Sequence, residues 1–186
     1  MNDDDIDDNG DPIHPAGLPG SEHEAGSMYS PVTLVEYGDY ECPRCMQAQL
    51  EVKHLLDAFG EQIRFVFRHF PDAAAHPHAQ LAAEASEAAA AQGKFWEMHD
   101  MLFRQTMHMT QAGIMRDAAA IELDMTRFRA DLADHVYLQR VREHHAAGVH
   151  LGLRGTPCFF LNDVPIDVSF SLENLEKAVR TALTEP

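Results

Sequence analysis

The 186-residue chain has the length of one domain, and its content of 45% hydrophobic and 24% charged residues is typical of a globular protein. Thirty acidic against 14 basic residues give a net charge of −16, which disfavours nucleic acid and anionic membranes as partners because both attract clustered positive charge. No run of about 18 apolar residues is present, so we also expect no membrane insertion.

The N-terminal segment, residues 1–29, is predicted to be an acidic disordered tail. Eight acids and no Lys or Arg lie in residues 1–24, and no apolar period is visible there. The segment lacks the basic and apolar regions of a secretory signal, so the sequence as given predicts a cytoplasmic protein. If a leader has been removed, a periplasmic location is expected instead.

After this segment the pattern changes to a strand, a helix and a second strand. Residues 32–37 are apolar and β-branched, residues 46–59 have apolar side chains at helical spacing, and residues 63–68 again suit a strand. Gly60 ends the helix. A βαβ unit of this kind has parallel strands.

Residues 73–151 are rich in Ala, Met, Glu and His and predict an all-helical insertion. The predicted helices are 78–92, 95–105, 111–122, 125–133 and 135–149. Strand character returns at 158–161 and 164–168, and a last amphipathic helix opens near residue 171. The sequence therefore predicts an α/β fold with a mixed sheet, formed by residues 30–72 and 152–186 and interrupted by the insertion.

Cys42 and Cys45 form a Cys-x-x-Cys pair, which is compatible with a zinc site or a redox dithiol. A structural zinc site needs four ligands. Only Cys158 remains, and no His pair at three- to five-residue spacing follows closely. Other His and Met clusters, such as His76 with His78, lack the i, i+4 spacing of helical ligands. We therefore predict no metal site and no other cofactor, and the strand–motif–helix placement favours a redox dithiol.

The placement of the pair at a helix start assigns different roles to the two thiols. The thiolate is the reactive form, and unpaired N–H groups at a helix N-terminus stabilise an anion. Cys42 at the cap is the expected nucleophile, and Cys45, one turn later, the resolving thiol. Pro43 suits the first helical position.

Nearby charges are expected to change the pKa of Cys42 in opposite directions. Arg44 should lower this pKa, whereas Asp39 and Glu41 should raise it if they lie close. The sequence does not decide the net effect, and so leaves the direction of the redox reaction open.

Glu36 lies inside the first predicted strand, where a carboxyl group is unusual. If it faces Cys45, it could accept the proton of that thiol. The alternative is a side chain that points to solvent or pairs with Arg64 or Arg68.

Several motifs together resemble the DsbA-like branch of the thioredoxin superfamily. These are residues 32–45, with Glu36 and Cys-Pro-Arg-Cys, and residues 155–163, Gly-Thr-Pro-Cys-Phe-Phe-Leu-Asn-Asp. Residues 68–71, 76–79 and 93–100 are similar to a bacterial subgroup that includes domains fused to sodium/proton antiporters. The resemblance implies a thioredoxin-like fold (βαβ and ββα, mixed sheet) with an inserted all-helical domain.

The resemblance also implies a substrate site. Pro157 is expected to be a cis proline facing the cysteines, and Thr156 and Pro157, with Pro43 and Arg44, to contact an extended substrate segment. The implied partners are protein or peptide thiols and disulfides, with a redox partner protein or glutathione in addition.

Two residues depart from the family pattern. Arg44 stands where well-studied members carry His, which puts strong oxidase character in doubt. Cys158 follows the proline and is either a small buried strand residue or a third thiol near the site.

The sequence leaves three functions open. The first is a protein-disulfide oxidoreductase that works through Cys42 and Cys45. The second is a redox-sensing or partner-binding module without turnover, and the third is a glutathione-dependent enzyme that does not need Cys45.

Overall fold

A computed structural model describes Pro15, residues 22–169 and residues 171–184, without the side chain of Met107. The strands of this part are β1 (His23–Gly26), β2 (Val32–Gly38), β3 (Ile63–His69), β4 (Cys158–Leu161) and β5 (Val164–Ile166). The α-helices are α1 (Pro43–Phe59), α2 (Ala79–Ala90), α3 (Phe95–Arg104), α4 (Gln111–Ala120), α5 (Met125–Ala133), α6 (Leu138–His150) and α7 (Glu173–Thr184).

The strands form one mixed sheet in the order β1-β3-β2-β4-β5. β2 and β3 are parallel and joined by α1, whereas β4 pairs antiparallel with both β2 and β5. These are the predicted βαβ and ββα units. The thioredoxin-like fold class is confirmed.

Helices α2 to α6 lie between β3 and β4 in the chain, where the all-helical insertion was predicted. The largest difference at a helix start is at α6, which begins at residue 138 rather than 135. His135 has a left-handed φ of 51°, which cannot belong to a right-handed helix.

The sheet is buried on both faces. On one face, side chains of β2, β3 and β4 pack against α1, α3 and α7, with Leu34, Phe65 and Phe159 in the larger core cluster. A smaller cluster covers the opposite face and includes Val35, Tyr37, Val66, Phe70 and Phe160. Since successive side chains of a strand point to opposite faces, Glu36 shares the face of Leu34, towards α1.

Strand β1 was not predicted, and the assignment of residues 1–29 to a disordered tail is wrong at residues 23–26. β1 pairs antiparallel with β3, from His23 opposite Phe67 to Gly26 opposite Arg64. Its sequence, His-Glu-Ala-Gly, has no strand pattern, and contacts with distant residues hold it in place. Residues 1–14 and 16–21 of the predicted tail lie outside the described part of the chain.

Candidate active site

Cys42 is the N-cap residue of α1, with extended backbone angles (φ −81°, ψ 120°), and Pro43 follows in the first helical turn. The Cys42 N–H donates to the Asp39 carbonyl oxygen (3.1 Å), just after β2 ends. The turn between β2 and α1 therefore fixes the sulfur of Cys42 at the helix N-terminus, as the sequence predicts.

The two thiols differ in access. Cys42 retains 7% exposure and lines a cavity of about 550 Å³, whereas Cys45 is fully buried. Both thiols are free in this structure. A reagent in the cavity can reach the Cys42 sulfur but not that of Cys45.

The surroundings of Cys42 favour its thiolate. Its pKa is lowered from 9.0 to about 5, chiefly by a hydrogen bond from the Cys45 side chain, against the opposing effect of burial. A side-chain hydrogen bond from Thr156 and the backbone N–H groups of Cys45 and Arg44 lower it further. These N–H groups are the unpaired donors expected at a helix start.

Cys45 and Glu36 share the buried space behind Cys42. Burial, the hydrogen bond to Cys42 and the charge of Glu36 raise the pKa of the Cys45 thiol well above 9.0. Burial, with the charge of Cys42, raises the pKa of the Glu36 carboxyl from 4.5 to about 8. Within the described residues, neither carboxylate oxygen of Glu36 has a hydrogen-bond partner.

The alternative positions considered for Glu36 do not occur. Its side chain is fully buried, so it does not point to solvent. Arg64 instead forms a two-bond pair with Glu24 (2.6 and 2.9 Å), and Arg68 lies beside Glu22 (3.5 Å).

The Thr156-Pro157 loop closes the other side of the site. The peptide bond between the two residues is cis, and Pro157 is buried at the start of β4. The Thr156 carbonyl oxygen lies 3.5 Å from the Cys42 sulfur, and Thr156 lines the cavity.

Cys158 belongs to the opposite face of the sheet. It packs against the smaller core cluster with Tyr37 and Phe160, and its thiol donates to the Gly155 carbonyl oxygen (3.1 Å). Burial raises its pKa. Cys158 is a strand residue, as one of the two interpretations has it, but its side chain is partly and not fully buried.

The expectation that the Arg44 side chain acts on Cys42 is not met. The guanidinium donates to the Val168 carbonyl oxygen (2.7 Å), beyond β5. Arg44 lowers the pKa of Cys42 through its backbone N–H.

Asp39 and Glu41 are held by histidines of the loop between β3 and α2. Asp39 accepts from the His76 imidazole (2.8 Å) and from the Asp72 N–H (2.9 Å). Glu41 accepts from the His78 N–H (2.7 Å) and lies 3.1 Å from its imidazole. The two acids just before Cys42 therefore anchor the loop whose residues Asp72 and His76 line the cavity.

A buried polar network that the sequence did not predict lies between β1, β3, α2 and α6. Glu87 accepts from His23 (2.8 Å), His69 (2.9 Å) and Arg140 (3.0 Å). Glu22 pairs with His144 (3.1 Å). No local sequence pattern predicts these pairs, because their members are up to 122 positions apart, as for Glu22 and His144.

His23, His69 and Glu87 present three ligand atoms within 4.8 Å of one another, a grouping that could hold a metal ion. The Arg140 guanidinium occupies the same carboxylate, and a nearby positive charge opposes cation binding. The group is therefore best described as an ion-paired, hydrogen-bonded network.

Helix start, paired cysteines and cis-proline loop together define a thioredoxin-fold protein with a Cys-x-x-Cys site. Residues 19–181 match the family model described as Thioredoxin, and the chain belongs to this family.

The relatives agree with the resemblance stated from the sequence. The chain is 43% identical over 164 residues to a protein of Salinispora arenicola named Na(+)/H(+) antiporter NhaA 1, a match that covers 88% of this chain and 25% of that protein. The chain thus spans about a quarter of the length of this curated relative.

Solved structures give the same fold. A thioredoxin-like oxidoreductase from Silicibacter pomeroyi is similar with a TM-score of 0.75 and 29% identity, over 90% of this chain and 95% of that one. The thiol-disulfide exchange protein alpha-DsbA2 from Wolbachia pipientis has a TM-score of 0.73 and 22% identity, over 88% of each chain. These likenesses confirm the predicted thioredoxin-like fold, and the match to the antiporter relative agrees with the predicted bacterial subgroup.

Among the helices of the described residues, none combines the length and apolarity needed to cross a membrane.

Proposed function

We propose that the protein is a thiol–disulfide oxidoreductase that exchanges disulfides with protein or peptide substrates through Cys42. The observation that carries the proposal is the asymmetry of the pair: Cys42 lines a cavity at a helix N-terminus, whereas Cys45 is fully buried and within reach of the charge of Glu36. The thioredoxin-like oxidoreductase from Silicibacter pomeroyi supports the same chemistry.

In the reducing direction, the Cys42 thiolate attacks one sulfur of a substrate disulfide. The substrate S–S bond breaks, one substrate thiolate leaves, and a mixed disulfide forms. Cys45 then transfers its proton to the Glu36 carboxylate, through a water molecule or after a closer approach of the two side chains, and attacks the Cys42 sulfur. This releases the second substrate thiolate and leaves a Cys42–Cys45 disulfide, so two electrons pass to the substrate. Oxidation of a substrate dithiol is the reverse sequence.

Substrate binding is assigned to the wall of the cavity. Thr156 and Pro157 offer an extended backbone beside the Cys42 sulfur, with which a substrate strand can pair. Pro43 and Arg44 begin helix α1 directly after Cys42, and the Arg44 guanidinium is held on the Val168 carbonyl oxygen. A protein dithiol or glutathione returns the pair to its starting state.

The test is disulfide reduction of insulin with single cysteine variants. Cys42→Ser should lose turnover, and Cys45→Ser should lose turnover but accumulate mixed disulfides detectable by mass spectrometry. Cys158→Ser, on the opposite face, is the matched control and should keep turnover. Activity retained by Cys42→Ser contradicts the proposal, and lack of turnover in the unaltered protein favours a redox sensor.

Equilibration of the pair with glutathione gives the direction of exchange. A potential near ~−270 mV indicates a reductant and one near ~−120 mV an oxidant.

A further inference from the structure

The basic side chains of the cavity that Cys42 lines come from outside the Cys-x-x-Cys segment. Arg44, the basic residue between the cysteines, has its guanidinium on the Val168 carbonyl oxygen. His76, from the loop between β3 and α2, lines the same cavity as Cys42. Coulomb attraction depends on the distance between two charges in the folded protein, so a residue outside the motif can act on the Cys42 sulfur.

His76 is held in this position by two hydrogen bonds. Its N–H donates to the Asp72 carbonyl oxygen (2.8 Å), and its imidazole Nδ1 lies 2.8 Å from Asp39 Oδ2. Asp39 is itself fixed, because its carboxylate also accepts from the backbone N–H groups of Glu41 (2.7 Å) and Asp72 (2.9 Å). The Asp39 side chain is fully buried, whereas the His76 side chain is 23% exposed.

The balance of charge around His76 favours its protonated form. Burial, the largest single effect, lowers the pKa of His76, but the hydrogen bond and charge of Asp39, with the charges of Cys42 and Glu41, outweigh it and raise the pKa above 6.5. The other titratable or charged groups of the cavity are Asp72 of the same loop, His145 of α6 and Arg154 before β4.

We propose that His76, oriented by Asp39, is the positioning residue that stabilises the negative charge of the Cys42 sulfur, in place of the side chain of Arg44. This inference rests on the proposed function and deepens it. Coulomb attraction is mutual, so a thiolate that favours imidazolium is favoured by it to the same extent. The direct hydrogen bonds from Cys45, Thr156 and the helix start contribute more, so His76 adjusts the acidity of Cys42 and does not alone create it.

The experiment measures the alkylation rate of Cys42 by iodoacetamide in the reduced full-length protein from pH 3.5 to 8, with site-resolved mass spectrometry. His76→Gln should raise the midpoint of the rate profile by about 0.5–1 pH unit, a typical size for losing one partly exposed charge. His76→Lys should restore the midpoint, which a purely structural role would not produce.

His78→Gln is the matched control. His78 lies in the same loop and pairs with a carboxylate in the same way, at 3.1 Å from Glu41, but it does not line the cavity. It should leave the midpoint unchanged. An unshifted midpoint in His76→Gln, an equal shift in His78→Gln, or lack of rescue by His76→Lys overturns the inference.

Failure of the proposed function gives a different result. In that case Cys42 of the unaltered protein is alkylated no faster than Cys158 at pH 6. If Cys42 reacts rapidly in every variant with one common midpoint, the proposed function stands and only the role of His76 is refuted.

Discussion

Glu36 carries a cost in stability that can be measured. Its pKa rises from 4.5 to about 8 on folding because burial opposes its charge. The folded protein thus binds the proton more tightly than the unfolded chain. The contribution of this proton binding to the free energy of unfolding is complete below pH 4.5 and is lost as the pH rises to about 8. At pH 7 about 3 kcal/mol of it is lost.

Glu36→Gln should therefore raise the free energy of unfolding by about 1–3 kcal/mol at pH 7, since the amide keeps the volume and removes the titration. The gain should grow from pH 5 to pH 8 in urea denaturation of the reduced protein. Glu84→Gln is the control, because Glu84 is equally buried but has Gln80 (3.0 Å) and His135 (2.8 Å) as partners. A loss of stability in Glu36→Gln at pH 8 would contradict the argument.

At the level of single residues, the sequence predicted the positions of those side chains whose placement depends on their neighbours in the chain. A strand followed by a helix start places Cys42 and Cys45, and a lone carboxyl inside an apolar strand identified Glu36. Two other contacts depend on loops distant in sequence: the one between the Arg44 side chain and Val168, and the pairing of Asp39 with His76. Local sequence patterns therefore do not predict them.

Strand β1 shows how a short polar segment is stabilised by distant residues. The Arg64 guanidinium binds both oxygens of Glu24, and the Trp96 indole N–H donates to the Glu24 carbonyl oxygen (3.0 Å). His23 stacks on Phe95, with ring centroids 3.5 Å apart. β1 also covers the edge of β3, which would otherwise present unpaired backbone groups.

Removal of residues 1–26 should destabilise the fold, because it takes Glu24 from Arg64, Glu22 from His144 and His23 from Glu87. Loss of one member of a buried pair costs about 3–5 kcal/mol, which corresponds to a fall in Tm of roughly 10 °C for a domain of this size. Removal of residues 1–14 is the control for chain length and should change Tm far less. Equal melting of the two truncated proteins would show that β1 adds little.

For the molecule as a whole, sequence periodicity was sufficient for the order of the strands and α-helices from β2 onward. The βαβ start, the helical block and the ββα end follow from apolar spacing and from Gly and Asn-Asp turns. The polar network between β1, β3, α2 and α6 was not predictable, because histidines and acids pair there across the fold with no recurring pattern.

This network makes stability depend on pH. Burial lowers the pKa of His144 to about 4, so the unfolded chain binds its proton more readily below pH 6.5. The pKa of Glu22 is lowered as well, since its hydrogen bond and charge pairing with His144 outweigh burial. Both shifts give stability that is full at pH 7 and falls on acidification.

We expect His144 to lower Tm from pH 6.5 towards pH 4, by up to about 3 kcal/mol in the free energy of unfolding, against the opposite slope that Glu36 contributes over this range. His144→Gln should flatten this slope while lowering Tm at pH 7, and His150→Gln, at the exposed end of α6, should leave the profile unchanged. A profile for His144→Gln parallel to that of the unaltered protein would assign the acid sensitivity to other groups.

The position of Cys158 has a practical consequence for chemical labelling. The two thiols that a reagent can approach lie on opposite faces of the sheet, and their pKa values are shifted in opposite directions. Near pH 6, a haloacetamide dye therefore has Cys42 as its reactive target, without any engineered cysteine. With the Cys42–Cys45 pair oxidised, Cys158 is the one free thiol left. A second dye can then be attached to Cys158, on the opposite face of the sheet, to report on substrate binding at the Cys42 cavity.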